Sequence, residues 1–152
     1  MPPGLPAMDL VPGFPIKIVQ SSSLLLLLYE NYTMYRQIFI DARELPKDLN
    51  PTWMGYSVGR WDGDSLVVEV VGFNDKTWLD VDGHPHSDAL HLIERFRRKD
   101  FGHMDLEITI DDPKAYTRAW TSKAQLMLDP DTELIEFICN ENERDFTHIE
   151  GR

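Results

Sequence analysis

The chain has 152 residues, enough for one domain with a single hydrophobic core, and its 42% hydrophobic and 27% charged residues are typical of globular proteins and exclude global disorder. A formal net charge of −11 argues against nonspecific binding to nucleic acid or to an anionic membrane, because both need a cationic face. No apolar run approaches the roughly 20 residues of a membrane span and no signal peptide is recognisable, so we expect the chain as given to be soluble.

Residues 1–15 carry five of the ten prolines. Because proline removes a backbone donor and fixes φ, this composition predicts an extended N-terminal arm rather than a helix or a central strand. Residues 16–148 are expected to form a single β domain. Residues 149–152, IEGR, match a protease-cleavage tag and are treated as a separate tail.

Short apolar runs bounded by turn residues follow the arm, and each predicts a β-strand. They are IKIVQSS, SLLLLLYEN, YRQIFIDA, the two halves of GYSVGRWDGDSLVVEVVGF, LHLIERFRR, DLEITID, YTRAWTSKAQLML and ELIEFICNE. Asp62-Gly63 is the dipeptide expected to form the hairpin turn between the two halves. About nine short strands with short connections predict a mainly antiparallel β-barrel or half-barrel, resembling the lipocalin-like (calycin) class in strand count and turn spacing.

The run of five leucines at positions 24–28 is apolar on both faces of the predicted strand. Such a strand is covered on both sides or faces a second subunit. A structural protein that forms a homodimer through this strand is therefore one open reading of the sequence.

Alternation along the predicted strands places Glu94 on the same face as Leu92 and Phe96. A carboxylate on a core face needs a partner or a raised pKa, so Glu94 is either a functional group or half of a structural ion pair with an inward arginine. A lumen that also held aromatic and basic side chains would suit a small amphipathic ligand. The candidate ligand-binding residues are Arg36, Trp61, Trp78, Arg118 and Trp120.

The segment NDKTWLDVDGHPHSDALH, residues 74–91, concentrates aspartate and histidine. Its H-x-H pair is a weak metal signal with no second His/Cys pair at diagnostic spacing, so we expect no metal and no cofactor. His86 could instead act as a general base oriented by Asp75 or Asp80, with Glu94 or Tyr56 as the acid. The third reading is a loop of turn-forming residues that closes one barrel end, with Trp78 and Leu79 tucked beneath it.

Cys139 is the only cysteine, which excludes an intrachain disulfide. It lies in the apolar run ELIEFICNEN, and this position predicts a buried, inert thiol rather than a reactive one.

Six segments resemble a large group of proteins from soil and environmental bacteria that have no assigned activity. The matching segments cover nearly the whole chain and are RQIFIDAR (36–43), GYSVGRWDGDSLVVE (55–69), GFNDKTWLD (72–80), HPHSDALHLIERF (84–96), DDPKAYTRAWT (111–121) and ELIEFICNEN (133–142). The resemblance implies relatives that are often periplasmic or secreted. Many relatives have a cysteine just before PPG that is absent here, and if it pairs with the counterpart of Cys139, this chain lacks that bridge.

Binding of a small, partly apolar molecule in a barrel pocket is the leading functional expectation, since barrel mouths commonly hold such ligands. A cofactor-independent lyase, isomerase or hydrolase using the acid–base residues above is the alternative enzyme reading. The fold alone does not decide between them.

Overall fold

The computed structural model describes residues 4–10 and 12–136, and in that part of the chain eight strands form one curled sheet, a half-barrel. The strands are β1 (Ile16–Gln20), β2 (Leu24–Tyr29), β3 (Tyr35–Phe39), β4 (Tyr56–Asp62), β5 (Ser65–Val71), β6 (His91–Arg98), β7 (His103–Asp111) and β8 (Trp120–Met127). Helical structure is limited there to one turn, α1 (Ala7–Leu10), and a 3-10 turn over Asn31–Thr33. The predicted mainly β half-barrel is therefore confirmed. None of the described helices is long and apolar enough to cross a membrane.

The strands lie in the sheet in chain order, and neighbours are antiparallel except for β3 and β4. These two strands run parallel over two register pairs, Ile38 with Ser57 and Phe39 with Val58. A parallel pair requires the chain to return to the same end of the sheet, and residues 40–55 make that return. The proline-bearing loop predicted between these strands thus has a topological role that strand patterns do not reveal.

The β4–β5 hairpin turns one residue later than its sequence predicts. Asp62 pairs with Ser65, so the two central turn residues are Gly63 and Asp64 rather than Asp62 and Gly63. Gly63 has a φ of 61°, and Asp64 is not among the residues with positive φ. Positive φ at the first central residue alone is the pattern of type II′ hairpins, in which glycine takes that position.

The half-barrel has two different ends, to which we give fixed names. The hairpin end contains the β4–β5 turn and the β6–β7 turn, and the loop end contains residues 72–90, which connect β5 to β6. Alternation along the strands points one set of side chains inward, where they form the core. Its members include Leu25, Leu27, Ile38, Leu66, Val68, Val70, Leu92, Phe96, Leu106, Ile108 and Ile110.

The N-terminal segment is not the extended arm that its prolines predict. Residues 7–10 form α1, and Leu5, Met8 and Asp9 are all buried, with Leu5 fully so. Leu5 and Met8 join the core cluster together with Phe73, Leu79 and Leu90 of the loop end. Proline at position 6 precedes the helical turn, where a missing backbone donor costs little. The segment therefore fills the loop end of the lumen.

The predicted last strand is not found where the chain is described. Residues 133–136 form no strand, and two hydrogen bonds join them to β1 and to the residue that follows β2. Lys17 Nζ donates to Glu133 at 2.6 Å, and the backbone N–H of Ile135 donates to the Glu30 carboxylate at 3.1 Å. The remainder of ELIEFICNE, Cys139 and the tail 149–152 lie outside the described residues.

The outward side chains of β2, which are Leu24, Leu26 and Leu28, are half-buried. The homodimer that the leucine run suggests stays a prediction.

Candidate functional site

A buried ionic cluster lies inside the lumen toward its loop end. Arg36 on β3 donates from Nη2 to Glu94 Oε2 and from Nη1 to Glu94 Oε1 at 3.2 Å. The same Nη1 donates to Asp9 Oδ2 at 2.9 Å, and Nε donates to Ser57 Oγ at 3.0 Å. Tyr29 completes the cluster by donating its hydroxyl to Asp9 Oδ1 at 2.6 Å. Four strands and α1 thus contribute one residue each.

The carboxylates of Asp9 and Glu94 share the one guanidinium of Arg36 in this cluster. This two-to-one ratio affects the pKa values of the cluster's side chains. Burial raises the pKa of Glu94 to about 7, with Arg36 opposing the shift and Asp9 adding to it. Burial and the Asp9 carboxylate also raise the pKa of Tyr29. Although burial disfavours a cation, Glu94 and Asp9 hold the pKa of Arg36 above its usual value. The cluster carries one more acid than base.

The side chains of Arg36 and Glu94 are only 1% and 0% exposed. Alternation correctly predicts that both point inward, and Arg36 is the inward arginine that the ion-pair reading of Glu94 requires. The side-chain hydrogen bonds of Arg36 and Glu94 link them to each other, and Arg36 also bonds to Asp9 and Ser57. The cluster fixes the N-terminal segment inside the lumen, because Asp9 bonds to both Arg36 and Tyr29.

A separate cavity of about 250 Å³ occupies the hairpin end of the lumen. Its wall contains five buried apolar side chains from four strands, together with the half-buried Met104, the exposed Ile18 and Trp61, and three polar residues at the rim. The lining residues are Ile18, Gln20, Leu25, Leu27, Ile38, Trp61, Asp64, Leu66, Phe96, Arg98 and Met104. This volume is just below the roughly 300–1,000 Å³ of typical small-molecule sites.

Trp61 is the one predicted ligand-binding residue that lines this cavity. It shares the inward face of β4 with Ser57 and Gly59, and its side chain remains 53% exposed at the mouth. Gly59 has Ile38 Cγ2 at 3.0 Å from the position that a Cβ would take, so the wall is closely packed beside Trp61.

The other predicted ligand-binding residues lie elsewhere. Arg36 is sealed in the ionic cluster, Trp78 is 57% exposed in the 72–90 loop, and Arg118 is exposed ahead of β8. Trp120 starts β8 at the loop end and packs edge-to-face on Tyr116, with ring centroids 5.9 Å apart. In the described part of the chain these side chains do not line the hairpin-end cavity with Trp61, and their role in ligand binding stays a prediction.

His86 is buried in the 72–90 loop, and both of its ring nitrogens have partners. Nδ1 lies 3.0 Å from the Ser87 carbonyl oxygen, which can only accept, so Nδ1 carries the proton. With the proton on Nδ1, Nε2 can accept from the Thr77 hydroxyl at 2.6 Å. The ring also packs edge-to-face on Phe73, with centroids 6.0 Å apart. Local bonds therefore hold His86 as part of the loop packing.

The carboxylates proposed to orient His86 do not contact it. Asp80 Oδ2 lies 2.6 Å from Nδ1 of His84, and Asp80 also accepts from the backbone N–H groups of Asp82 and His84. Partial burial alone would raise the pKa of Asp80, but these hydrogen bonds outweigh it and lower the pKa. Asp75 is exposed. The pairing of His86 with Asp75 or Asp80 is thus not the arrangement found.

The predicted acid–base set is not gathered around one space. Tyr56 stacks on Phe39 and accepts a hydrogen bond from Arg43 at 3.1 Å. Within residues 4–10 and 12–136, the cavity is lined by none of His86, Asp75, Asp80, Glu94 or Tyr56. In the same residues, no three histidine, cysteine or acidic side chains converge as metal ligands.

The 72–90 loop covers the loop end of the half-barrel, as one reading of its sequence predicts. Leu79 is tucked under it at 1% exposure, whereas Trp78 points out. Asp112 anchors the loop from the end of β7 by accepting from the Ser87 hydroxyl and its backbone N–H at 2.7 and 2.6 Å.

Several residues of these sites escape the sequence interpretation, among them Asp9, Tyr29 and Ser57 of the ionic cluster. Asp9 lies in a segment predicted to be an extended arm, and no local pattern marks it as a partner of Arg36. Arg98 lines the cavity, and the alternation that places Phe96 inward also points Arg98 inward at the end of β6. The alternation extended by two residues would have identified it.

Comparison of the chain with protein-family models, with curated proteins and with solved structures finds no match.

Proposed function

We propose that the protein binds a small, partly apolar molecule in the hairpin-end cavity. The observation that supports this function most directly is the cavity of about 250 Å³ with an apolar wall, at the end of the lumen that α1 does not fill. The opposite end is occupied by Leu5, Met8 and the ionic cluster. Among the described residues, the hairpin end therefore offers space next to the core that the N-terminal segment does not fill.

Burial of apolar ligand surface would supply the affinity, at roughly 25 cal/mol per Å² removed from water. Leu25, Leu27 and Leu66 provide that apolar contact from three buried positions. Trp61 at the mouth would lose exposure when a ligand enters, and its indole can cover a ligand without a large entropic cost. The few polar groups at the rim would orient the ligand.

The test is a calorimetric titration of the protein with octanol, a small amphipathic alcohol. In the Leu25→Phe variant the larger side chain occupies the cavity, and we expect octanol affinity to fall about ten-fold or more. Leu26→Phe is the matched control, because the next residue of β2 faces outward and does not line the cavity. The proposal fails if octanol gives no saturable binding, or if both variants bind it as well as the original protein does.

A further inference from the structure

The cavity has one cationic wall residue whose charge is not neutralised by a carboxylate. Arg98 Nε donates to the carbonyl oxygen of Asp100 at 3.2 Å, and Nη2 donates to that of Phe101 at 3.0 Å. Its guanidinium carbon lies 5.5 Å from the centroid of the Phe101 ring. Among the described residues, no ion pair with a carboxylate involves Arg98.

The neighbouring arginines of β6 differ from Arg98 in this respect. Arg95 Nη1 lies 3.0 Å from the Asp62 carboxylate, and Arg97 Nε lies 3.2 Å from that of Asp64. Both point to the outer face of the sheet by alternation, whereas Arg98 follows Phe96 on the inner face. Of the three arginines of β6, Arg98 is therefore the one that points inward and has no acidic partner among the described residues.

The guanidinium of Arg98 keeps donors for a ligand. It has five N–H groups, and the two carbonyl bonds use one from Nε and one from Nη2. The β6–β7 turn fixes the position of the side chain through these two bonds. The remaining N–H groups can form charge-assisted hydrogen bonds, which are stronger than neutral ones.

Among the described residues that line the cavity, Asp64 is the one acidic side chain, and it is already paired. It accepts from Arg97 and from the Ser65 hydroxyl, at 3.2 Å in each case. Its repulsion of an incoming anion is therefore offset locally by Arg97. With Asp64 paired, the unmatched charge at the rim is the single positive charge of Arg98.

We infer that the ligand of this cavity is an amphipathic monoanion, with an apolar body against the core and one carboxylate at the mouth bound by Arg98. The inference rests on the proposed function and specifies its ligand class. A planar guanidinium suits a carboxylate because two parallel N–H groups can reach both oxygens. The net charge of −11 makes nonspecific binding of anions weak, so saturable uptake of one would report a specific site.

Octanoate and octanol form the matched probe pair, since they share their chain length and differ in the head group. By calorimetry at neutral pH we expect octanoate to bind about ten-fold more tightly than octanol. Arg98→Gln should reduce octanoate affinity to near that of octanol, so that the about ten-fold preference for the anion is lost. Arg95→Gln, a change on the outer face of the same strand, should alter neither affinity.

A second measurement needs no variant and so does not depend on folding of Arg98→Gln. Raising the salt concentration to about 0.5 M should weaken octanoate binding several-fold and leave octanol binding unchanged, because salt screens an exposed charge pair. Equal affinities for the two probes, with no salt effect on octanoate, would overturn the inference while the proposed function stands. If neither probe binds the original protein, the proposed function fails as well.

Discussion

Arg36 and Glu94 form a two-point ion pair inside the half-barrel, and Arg36 also holds Asp9 of the N-terminal segment. A buried pair with a second carboxylate on the same cation leaves one negative charge in excess when both acids are ionised. Burial and this excess together raise the pKa of Glu94 to about 7. The pair therefore links the stability of the fold to pH.

Glu94→Gln tests this link through the pH dependence of stability. The folded chain retains a proton on Glu94 between its ordinary pKa of 4.5 and about 7, where the unfolded chain has released it. The contribution of Glu94 to stability is thus complete below pH 4.5 and is lost as pH rises through about 7, at no more than about 1.4 kcal/mol per pH unit. Urea unfolding across this range should show that decline in the original protein and not in Glu94→Gln.

Glu107→Gln is the control for that experiment, because Glu107 pairs with Lys123 on the outer face of β7. It should keep the decline between pH 4.5 and about 7. An unchanged slope in Glu94→Gln would show that Glu94 does not titrate in this window.

Removal of the buried Arg36 cation should strongly reduce the free energy of unfolding. Arg36→Met leaves Asp9 and Glu94 buried without their counter-charge, and we expect a loss of about 3–5 kcal/mol in the free energy of unfolding at neutral pH. Adding Asp9→Asn and Glu94→Gln to Arg36→Met should restore part of that loss, because no ionised side chain then remains in the buried cluster. Urea denaturation measures both changes. If the triple variant is as unstable as the single one, packing around Arg36 rather than its charge determines stability.

Substitutions in the N-terminal segment should destabilise the protein as substitutions in the hydrophobic core do. Leu5→Ala removes a side chain that is 0% exposed, and we expect a cost of about 2–5 kcal/mol in the free energy of unfolding. Val81→Ala, at a position that is 82% exposed, should change the free energy of unfolding little. Equal and small effects of the two substitutions would show that residues 4–10 do not pack in the lumen in solution.

The hydrogen bonds of His86 predict its tautomer. ¹⁵N nuclear magnetic resonance of the imidazole at neutral pH should show the Nδ1–H form, since Nδ1 faces the Ser87 carbonyl oxygen. Thr77→Val removes the donor to Nε2 and leaves a buried acceptor without a partner, which costs about 1–3 kcal/mol. The Nε2–H tautomer would contradict the assigned bonds.

Local patterns predict the strands well because alternation and turn chemistry are properties of neighbouring residues. The inward positions of Glu94 and Arg36 follow from those patterns. The parallel pairing of β3 with β4 does not, since it depends on where residues 40–55 return the chain. Prolines likewise predict an extended arm, whereas α1 interrupts it and contacts with distant Tyr29 and Arg36 place Asp9 inside the lumen.

The site is harder to predict than the strands, because alternation gives the face of a residue but not its height along the barrel. Trp61 and Trp120 both lie on strands, yet one is at the hairpin end and the other starts β8 at the loop end. Trp78 follows no strand period in its loop, so its exposure could not be derived from the sequence. Which end of the lumen remains open depends on the N-terminal segment, whose position is set by long-range contacts.

The most direct measurement is methyl nuclear magnetic resonance of the protein titrated with octanol. The proposed function predicts saturable shifts at the methyl groups of Leu25, Leu27 and Leu66, which line the hairpin-end cavity. It predicts no shifts at Leu79 and Leu90, which are buried at the loop end. Saturable shifts confined to Leu79 and Leu90, or no saturable shift at any of the five, would contradict it.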